Sequence, residues 1–316
     1  MSTPQTPRSY GTAYHVPVLY KAVVEGLITD PAGCYVDATI GGGGHAAALL
    51  DALAPEGRLI GIDRDPEALE AVRHRLTQAL AEGRLQLLQG NFGDLEPLLD
   101  ALGIGWIDGL LLDLGVSSHQ LEKAARGFSF QAEGPLDMRM DPSGGGPTAQ
   151  QLLMRWSLQE LAEVLRRFGE EPRALKLARA IYEARPIPTT KALAEIVRRE
   201  VPPKEAAKTL ARVFQALRIA VNDELRALEQ VLEAATRRIR PGGRLAVISY
   251  HSLEDRRVKR FLRYGNLEGQ PLRDVYGQLQ TPWRPLTRRP IRPSDDEIAA
   301  NPRARSARLR LAERLA

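Results

Sequence analysis

The sequence predicts an α/β fold: a doubly wound parallel sheet interrupted by an all-helical insertion. Three observations predict it. Short apolar runs alternate with helical segments of about ten to fifteen residues in the N-terminal third, and another apolar run follows near residue 245. Each run is nearly continuous rather than alternating, which suits strands covered on both faces. Between about residues 125 and 215 only helix signatures follow one another.

Cys34-Tyr-Val-Asp-Ala-Thr-Ile40 reads as the first strand and runs into four glycines, Gly41 to Gly44. His45 to Leu53 then reads as a helix. Arg58 to Asp63 is a second strand, and Pro66 sits well in the first turn of a helix that continues through Leu80. Arg84 to Leu88 is a third strand, ending near Asn91 and Phe92, and Trp106 to Leu114 is a fourth. From Gly127 to Pro147 the chain is rich in Gly, Pro and polar residues, the composition of a lid or a linker. Thr148 with Gln151, and Ser157 with Glu160, have capping-box spacing. Leu161, Val164, Leu165 and Phe168 share one helix face, with Gly169 as the expected stop. Helices are expected from Pro172 to Ala184, from Thr190 to Glu200, and from Lys204 to Arg238 with a break at Asn222. Pro241-Gly242-Gly243 reads as a sharp turn before a fifth strand, Arg244 to Ser249; the last strand is Ala307 to Leu311. The expected organisation is a first domain part over 1–124, the insertion over 125–215, and a second part with a basic end over 216–316.

The 316 residues, 43% hydrophobic and 26% charged, have the composition of a folded globular chain. No apolar run approaches the ~20 residues that a spanning helix needs. The N-terminus shows no apolar core, so no secretory signal is expected and a cytoplasmic location is the default. A single cysteine, Cys34, excludes an internal disulfide framework and a multi-cysteine zinc site. No metal is expected, because His15, His45, His74, His119 and His251 are scattered without paired ligand spacing. The net charge of +5 is unevenly spread. Arg237 to Arg263 holds nine basic residues against Glu254 and Asp255, and Arg284 to Arg310 holds eight arginines against Asp295, Asp296 and Glu297. Such a basic third fits a phosphate-rich partner, or simply a solvated charged surface.

The glycine bend has several readings. A phosphate loop requires Gly-Lys-Ser/Thr, whereas this one ends Gly44-His45-Ala46. Gly41, Gly43 and Ala46 loosely satisfy a dinucleotide fingerprint. A third use is to let the methionine part of S-adenosylmethionine approach the backbone, and a fourth is a plain tight turn. Asp63, 22 positions after Gly41, suits a ribose diol, which NAD and S-adenosylmethionine both present. Phe92 could face an adenine or belong to the core. Asp37, Asp63, Phe92 and Asp113 would share the rim beyond the carboxyl ends of the strands. Three carboxylates there tolerate a sulfonium better than a pyrophosphate.

The segments DATIGGGGH (37–45), GIDRDP (61–66), LLLDLGVSS (110–118), RGFSF (126–130), GPLDMRMD (134–141), FQALRIAVNDEL (214–225), PGGRLAVISYHSLEDR (241–256) and NPRARSARLR (301–310) resemble the MraW-like family of bacterial ribosomal small-subunit methyltransferases. The resemblance spans nearly the whole chain. It implies a class I (Rossmann-like) methyltransferase sheet with an inserted helical domain, and S-adenosylmethionine-dependent methylation of cytidine N4 in the decoding region of 16S rRNA. Carried over to matching positions, the cofactor residues are Gly43, Gly44, His45, Asp63, Phe92, Asp113 and Gln120. The family commonly reads Ser-Ser-Pro-Gln-Leu where this chain has Ser117-Ser-His-Gln-Leu121, so His119 replaces a proline that would stiffen the loop around Gln120.

Methylation at cytosine C5 needs a cysteine nucleophile. Cys34 sits at the start of the first strand, away from the rim, so an exocyclic amine is the better target. Asp113 is expected to orient cofactor or amine, helped by Ser117, Ser118 and His251, although a histidine after the fifth strand also serves as an ordinary structural group. Arg256, Arg257, Lys259 and Arg260, with Arg303, Arg305 and Arg308, are the expected RNA contacts. The partner expected is 16S rRNA within the small ribosomal subunit, with no membrane. The insertion would widen the RNA footprint, cap the fold or form a homodimer surface. An NAD-linked oxidoreductase and a non-catalytic RNA-binding assembly factor are the competing readings.

Overall fold

The computed structural model describes residues 17–316; His15 and most of the N-terminal stretch considered for a signal lie outside the described residues. The chain divides into two compact units. One comprises the described residues up to Gly115 together with Arg226–Ala316, and the other is Val116–Leu225.

In the first unit, α1 (Tyr20–Leu27), β1 (Cys34–Asp37), α2 (Gly44–Ala52), β2 (Arg58–Asp63), α3 (Pro66–Arg75), α4 (Thr77–Ala81), β3 (Leu85–Gln89), α5 (Leu95–Ala101) and β4 (Ile107–Asp113) follow in order. The second unit contains α6 (Ser118–Glu122), α7 (Ala149–Arg155), α8 (Leu158–Gly169), α9 (Ala174–Glu183), α10 (Thr190–Glu200) and α11 (Pro203–Asn222). Then α12 (Glu224–Arg238) leads to β5 (Ile239–Ser249), α13 (Ser252–Tyr264), β6 (Trp283–Pro285), α14 (Asp295–Ala300) and β7 (Arg308–Arg314).

The strands form one seven-stranded sheet ordered β3-β2-β1-β4-β5-β7-β6. The first five run parallel; β7 is antiparallel to β5, and β6 to β7. The α/β sheet expected from the sequence is therefore present. Strand order reverses between β1 and β4, the switch point at which open α/β sheets take their ligands. Neighbouring residues on one strand feed opposite cores: Val36, Leu110 and Val247 join one cluster, and Tyr35, Leu111 and Ala246 the other. Both faces are covered, which is why the strands read as unbroken apolar runs.

Several elements differ from expectation. The helix expected from Pro66 through Leu80 is divided: α3 ends at Arg75 and α4 begins at Thr77, whose hydroxyl donates back to the Arg73 and His74 carbonyls across the break. Pro241-Gly242-Gly243 does not precede β5 but lies inside it, where pairing with β4 shifts register between Ile107 and Gly109. The triplet forms a bulge, and the missing side chain of Gly243 makes room for the Asp108 carbonyl.

The helical unit begins at Val116 rather than 125 and ends at Leu225 rather than 215. Val116 and Leu121 pack on its core, and α11 runs unbroken to Asn222, so neither expected boundary coincides with a structural break. Leu161, Leu165, Leu177, Ile181, Leu193, Val197, Val213 and Leu217 form that core from four amphipathic helices. Both capping boxes are present, at Thr148 and Ser157. The helix does end at Gly169 as expected, but the left-handed conformation that follows is taken by Glu170 (φ 48°) and not by the glycine. Gly169 is needed for packing, since a Cβ there would lie 2.8 Å from the Arg212 carbonyl oxygen of α11. The 127–147 segment is no loose linker. Leu136 and Met138 are buried in the core, and the Arg126 guanidinium donates to the Met140 carbonyl at 2.8 Å and the Arg139 carbonyl at 3.1 Å.

Candidate active site

Because β1, β2 and β4 run parallel, their last residues share one edge of the sheet. Those residues are Asp37, Asp63 and Asp113. The glycine bend follows β1. Gly43 is the N-cap of α2 at φ 75°, a left-handed conformation that a Cβ would strain. Asp63 ties the bend to β2: its Oδ2 accepts from Gly41 N at 2.9 Å and its Oδ1 from Asp65 N at 2.9 Å. Each carboxylate oxygen retains a second lone pair for a ligand hydroxyl. Thr39 links the other two tips, donating its N–H to Asp37 Oδ1 (3.2 Å) and accepting Asp113 N at Oγ1 (2.6 Å).

These carboxyls have little to balance their charge. Burial pushes Asp37 up to about 8, and the neighbouring Asp113 and Asp63 push the same way against the Thr39 N–H. Burial raises Asp63 to about 6, opposed by backbone N–H donors. Burial raises Asp113 to about 7; the Tyr250 hydroxyl opposes it and Glu254 adds to it. His45 Nε2 stands 3.9 Å from Asp113 Oδ2, beyond a hydrogen bond, and burial lowers this imidazole to about 4. The histidine is therefore neutral and cancels no charge.

Tyr250 is a site residue that the sequence reading missed. Its hydroxyl donates to Asp113 Oδ1 at 2.9 Å, and burial, followed by the Asp113 carboxylate, keeps it protonated well above the usual phenol range. Its own backbone is held by Glu254, whose Oε2 accepts Tyr250 N at 2.9 Å and His251 N at 3.2 Å. His251 Nε2 lies 3.1 Å from Glu254 Oε1, without hydrogen-bond geometry. His251 thus neighbours the Asp113–Tyr250 pair through Glu254. The one sequence cue to Tyr250 was its position directly after a strand end on the rim.

The other predicted residues fall in different places. Phe92 opens a short 3-10 turn after β3 and is half-buried against the core. Ser117, Ser118 and Gln120 belong to the helical unit. Ser117 Oγ accepts Gln120 N at 3.2 Å while Gln120 Oε1 accepts Ser117 N at 3.1 Å. This capping box fixes α6 with His119 inside it, and it gives the Ser117 oxygen a structural partner. Ser118 is buried in the first turn of the same helix.

Among the basic candidates, Arg256, Lys259 and Arg260 are exposed on α13, and Arg303 and Arg305 are exposed before β7. Arg257 and Arg308 require correction. Arg257 Nε pairs with Glu229 at 2.7 Å. Arg308 (3.1 Å) and Arg310 (2.7 Å) both hold the buried Asp255. Burial pushes the Asp255 carboxyl up, but the two arginines prevail and hold it below its ordinary value. Arg308 and Arg310 balance a buried charge within the fold, and Arg257 joins a partly exposed pair on its surface.

The residues fit an S-adenosyl group. Asp37 Oδ2 and both ring nitrogens of His45 are buried without a hydrogen-bond partner. Among the described residues no arginine or lysine pairs with Asp37, Asp63 or Asp113. A ligand carrying positive charge and hydroxyls supplies what the rim lacks, whereas a pyrophosphate would add to its charge.

Residues 12–315 match the MraW methylase family. Curated relatives named "Ribosomal RNA small subunit methyltransferase H" include that of Halorhodospira halophila, 50% identical over 310 residues, covering 95% of this chain and 94% of the relative. The Thermomicrobium roseum protein is 48% identical over 321 residues, with 96% and 94% covered. The Porphyromonas gingivalis protein is 45% identical over 313 residues, with 96% and 98% covered. With both the sheet and the inserted helices inside the matched span, this chain belongs to the MraW methylase family.

Proposed function

We propose that the protein transfers a methyl group from S-adenosylmethionine to the exocyclic N4 amine of a cytidine in the decoding region of 16S rRNA. The observation that carries this reading is the unbalanced acidic rim at the switch point, which accepts a cationic adenosyl donor. The names of the relatives support ribosomal small-subunit RNA as the acceptor.

The donor supplies a methyl group on an electron-poor sulfonium. Gly43 and Gly44 allow close backbone approach, Asp63 accepts the ribose hydroxyls, and Asp37 and Asp113 face positive charge. His45 offers a neutral ring nitrogen. Asp113, held at Oδ1 by Tyr250, keeps Oδ2 as an acceptor for an amine N–H. The amine of cytosine is a poor nucleophile because its lone pair is delocalised into the ring; an acceptor on its proton returns density to nitrogen. Orientation of this kind supplies ~7–11 kcal/mol in well-aligned reactions.

The chain's cysteine chemistry supports nitrogen over carbon. Cys34 begins β1, at the edge opposite the acidic tips, and its N–H donates to Asp108 Oδ2 at 2.7 Å. Burial, then the Asp108 charge, pushes its thiol up, so no thiolate is ready to add to a pyrimidine. The test is transfer of labelled methyl from S-adenosylmethionine to small subunits lacking the modification, with the product mapped by mass spectrometry. Label on a cytidine N4 is expected. Label at C5, on another base, or on none overturns the proposal.

A further inference from the structure

Between α13 and β6 the chain forms a hairpin whose purpose the active site does not explain. Arg273 and Leu279 pair antiparallel, Gln280 N donates to the Leu272 carbonyl at 2.8 Å, and Asp274 N to the Gln278 carbonyl at 3.0 Å. A turn closes the tip, with Gly277 N donating to the Asp274 carbonyl at 3.0 Å and Tyr276 N to Asp274 Oδ1 at 2.9 Å. The base is anchored: Trp283 is fully buried and its Nε1 donates to Thr236 Oγ1 at 3.0 Å. The stem of Arg260 from α13 lies over Gly269.

This well-tied device presents apolar side chains to water. Val275 is 93% exposed, Tyr276 85% and Leu272 60%. With Leu279 (38% exposed) they make four exposed large apolar residues on one nine-residue hairpin, and clustering of this kind marks an interaction surface. Charge identifies the partner's class. Residues 256–292 contain ten basic side chains against Glu268 and Asp274; Arg257 and Arg284 are paired with Glu229 and Glu313, and Asp274 is engaged in the turn, so eight basic side chains stand against Glu268. An aromatic tip beside a concentrated positive surface fits single-stranded or looped RNA, where bases stack on the ring and phosphates meet the arginines and lysine.

We infer that the 272–280 hairpin is an RNA-docking element, with Tyr276 stacking on an unpaired base of the rRNA while Arg256, Lys259 and Arg260 of α13 hold adjacent phosphates. The inference rests on the reading of rRNA as substrate and extends it to a contact away from the acidic rim. In the full chain, Tyr276→Ala weakens binding to 16S rRNA and raises KM for small subunits roughly tenfold. Its kcat at saturation and its affinity for S-adenosylmethionine stay at wild-type values, and Tyr276→Phe restores binding. A photo-crosslinker placed at position 276 labels rRNA. Unchanged binding and KM in Tyr276→Ala, or cross-links confined to a ribosomal protein, overturn the inference while leaving the methylation reading intact. Should the wild-type chain transfer no methyl group to rRNA, the activity reading fails, and the binding titration with 16S rRNA still decides the hairpin.

Discussion

The two units treat their polar groups in opposite ways. In the helical unit buried polar groups are mostly answered. Asn222, buried in its core, accepts Met140 N at 2.8 Å and donates to the Met138 carbonyl at 2.8 Å. Arg218 meets Glu224 through two 2.9 Å hydrogen bonds, and Arg139 pairs with Asp137 at 2.7 Å. At the sheet rim the opposite holds: three carboxyls are raised by burial, and Asp37 and His45 keep unpartnered atoms. Unanswered charge costs stability, so its concentration at the switch point marks where a ligand completes the structure.

The largest expected effect breaks the rim. Asp113→Ala removes the acceptor held by Tyr250 and lowers methyl transfer by on the order of 10²–10³, as loss of one partner in a buried charged contact does. Labelled-methyl transfer at saturating substrate measures it, and a loss below tenfold would remove Asp113 from the reaction. Tyr250→Phe leaves Asp113 in place but without its donor; about a tenfold loss is expected, together with a shift of the pH profile that a merely structural role would not produce.

Asp37→Asn sharpens the comparison by moving two quantities in opposite directions. The amide can still accept the Thr39 N–H, and it carries no buried charge. Affinity for S-adenosylmethionine should fall by about tenfold or more while the ligand-free protein melts a few degrees higher. Calorimetric titration and thermal scanning check the pair. A variant that loses stability along with affinity would show that Asp37 belongs to the scaffold.

The matching change in the answered region is Asn222→Ala. It strands the Met140 N–H and the Met138 carbonyl in the helical core, at about 3 kcal/mol. Denaturant unfolding should show that loss, while donor affinity stays within roughly twofold. Collapse of donor binding at unchanged stability would erase the contrast between the units.

What the sequence made legible follows the same division. The strands and the acidic tips could be read because a parallel sheet imposes continuous apolar runs and places strand ends on one edge. The capping boxes at Thr148 and Ser157 could be read because they are local. Tyr250 could not: its partner Asp113 is 137 positions away, and only the pairing of β4 with β5 brings them together. Gly169 was legible as the end of its helix, but its contact with α11 was not, because that contact also depends on the tertiary packing. Arg308 looked like an RNA contact because a charge count cannot reveal the buried Asp255 beside it.

The acidic rim also sets a pH dependence, and its sign follows from the shifts. A carboxyl whose folded value is raised, as in Asp37 (about 8) and Asp113 (about 7), holds its proton more tightly folded than unfolded. Its contribution to stability therefore falls as pH rises from the ordinary carboxyl range, about 4, through those values. His45, lowered to about 4, works the other way and costs stability as pH drops below its ordinary 6.5. A cationic donor favours the ionised carboxylates, so its binding near pH 7 should release protons from the rim. Titrations in buffers of different ionisation enthalpy read this release directly, and the donor's own titration is subtracted. The release should vanish by about pH 9; none at pH 7 would mean that the rim is already ionised.

The smallest effects separate the two kinds of arginine and lysine at the basic end. Lys259 is exposed, and Lys259→Ala should leave stability within ~0.5 kcal/mol of wild type. It should weaken rRNA binding uniformly and reduce the slope of log affinity against log salt by about one. Arg308 shares Asp255 with Arg310 and is partly exposed, so Arg308→Ala should lower stability by only about 1 kcal/mol and leave the salt slope alone. The two variants differ in which observable moves, because one cation meets solvent and the other a buried carboxylate. If Arg308→Ala changed the slope and spared stability, Arg308 would return to the RNA surface, and Asp255 would have to be held by Arg310 alone.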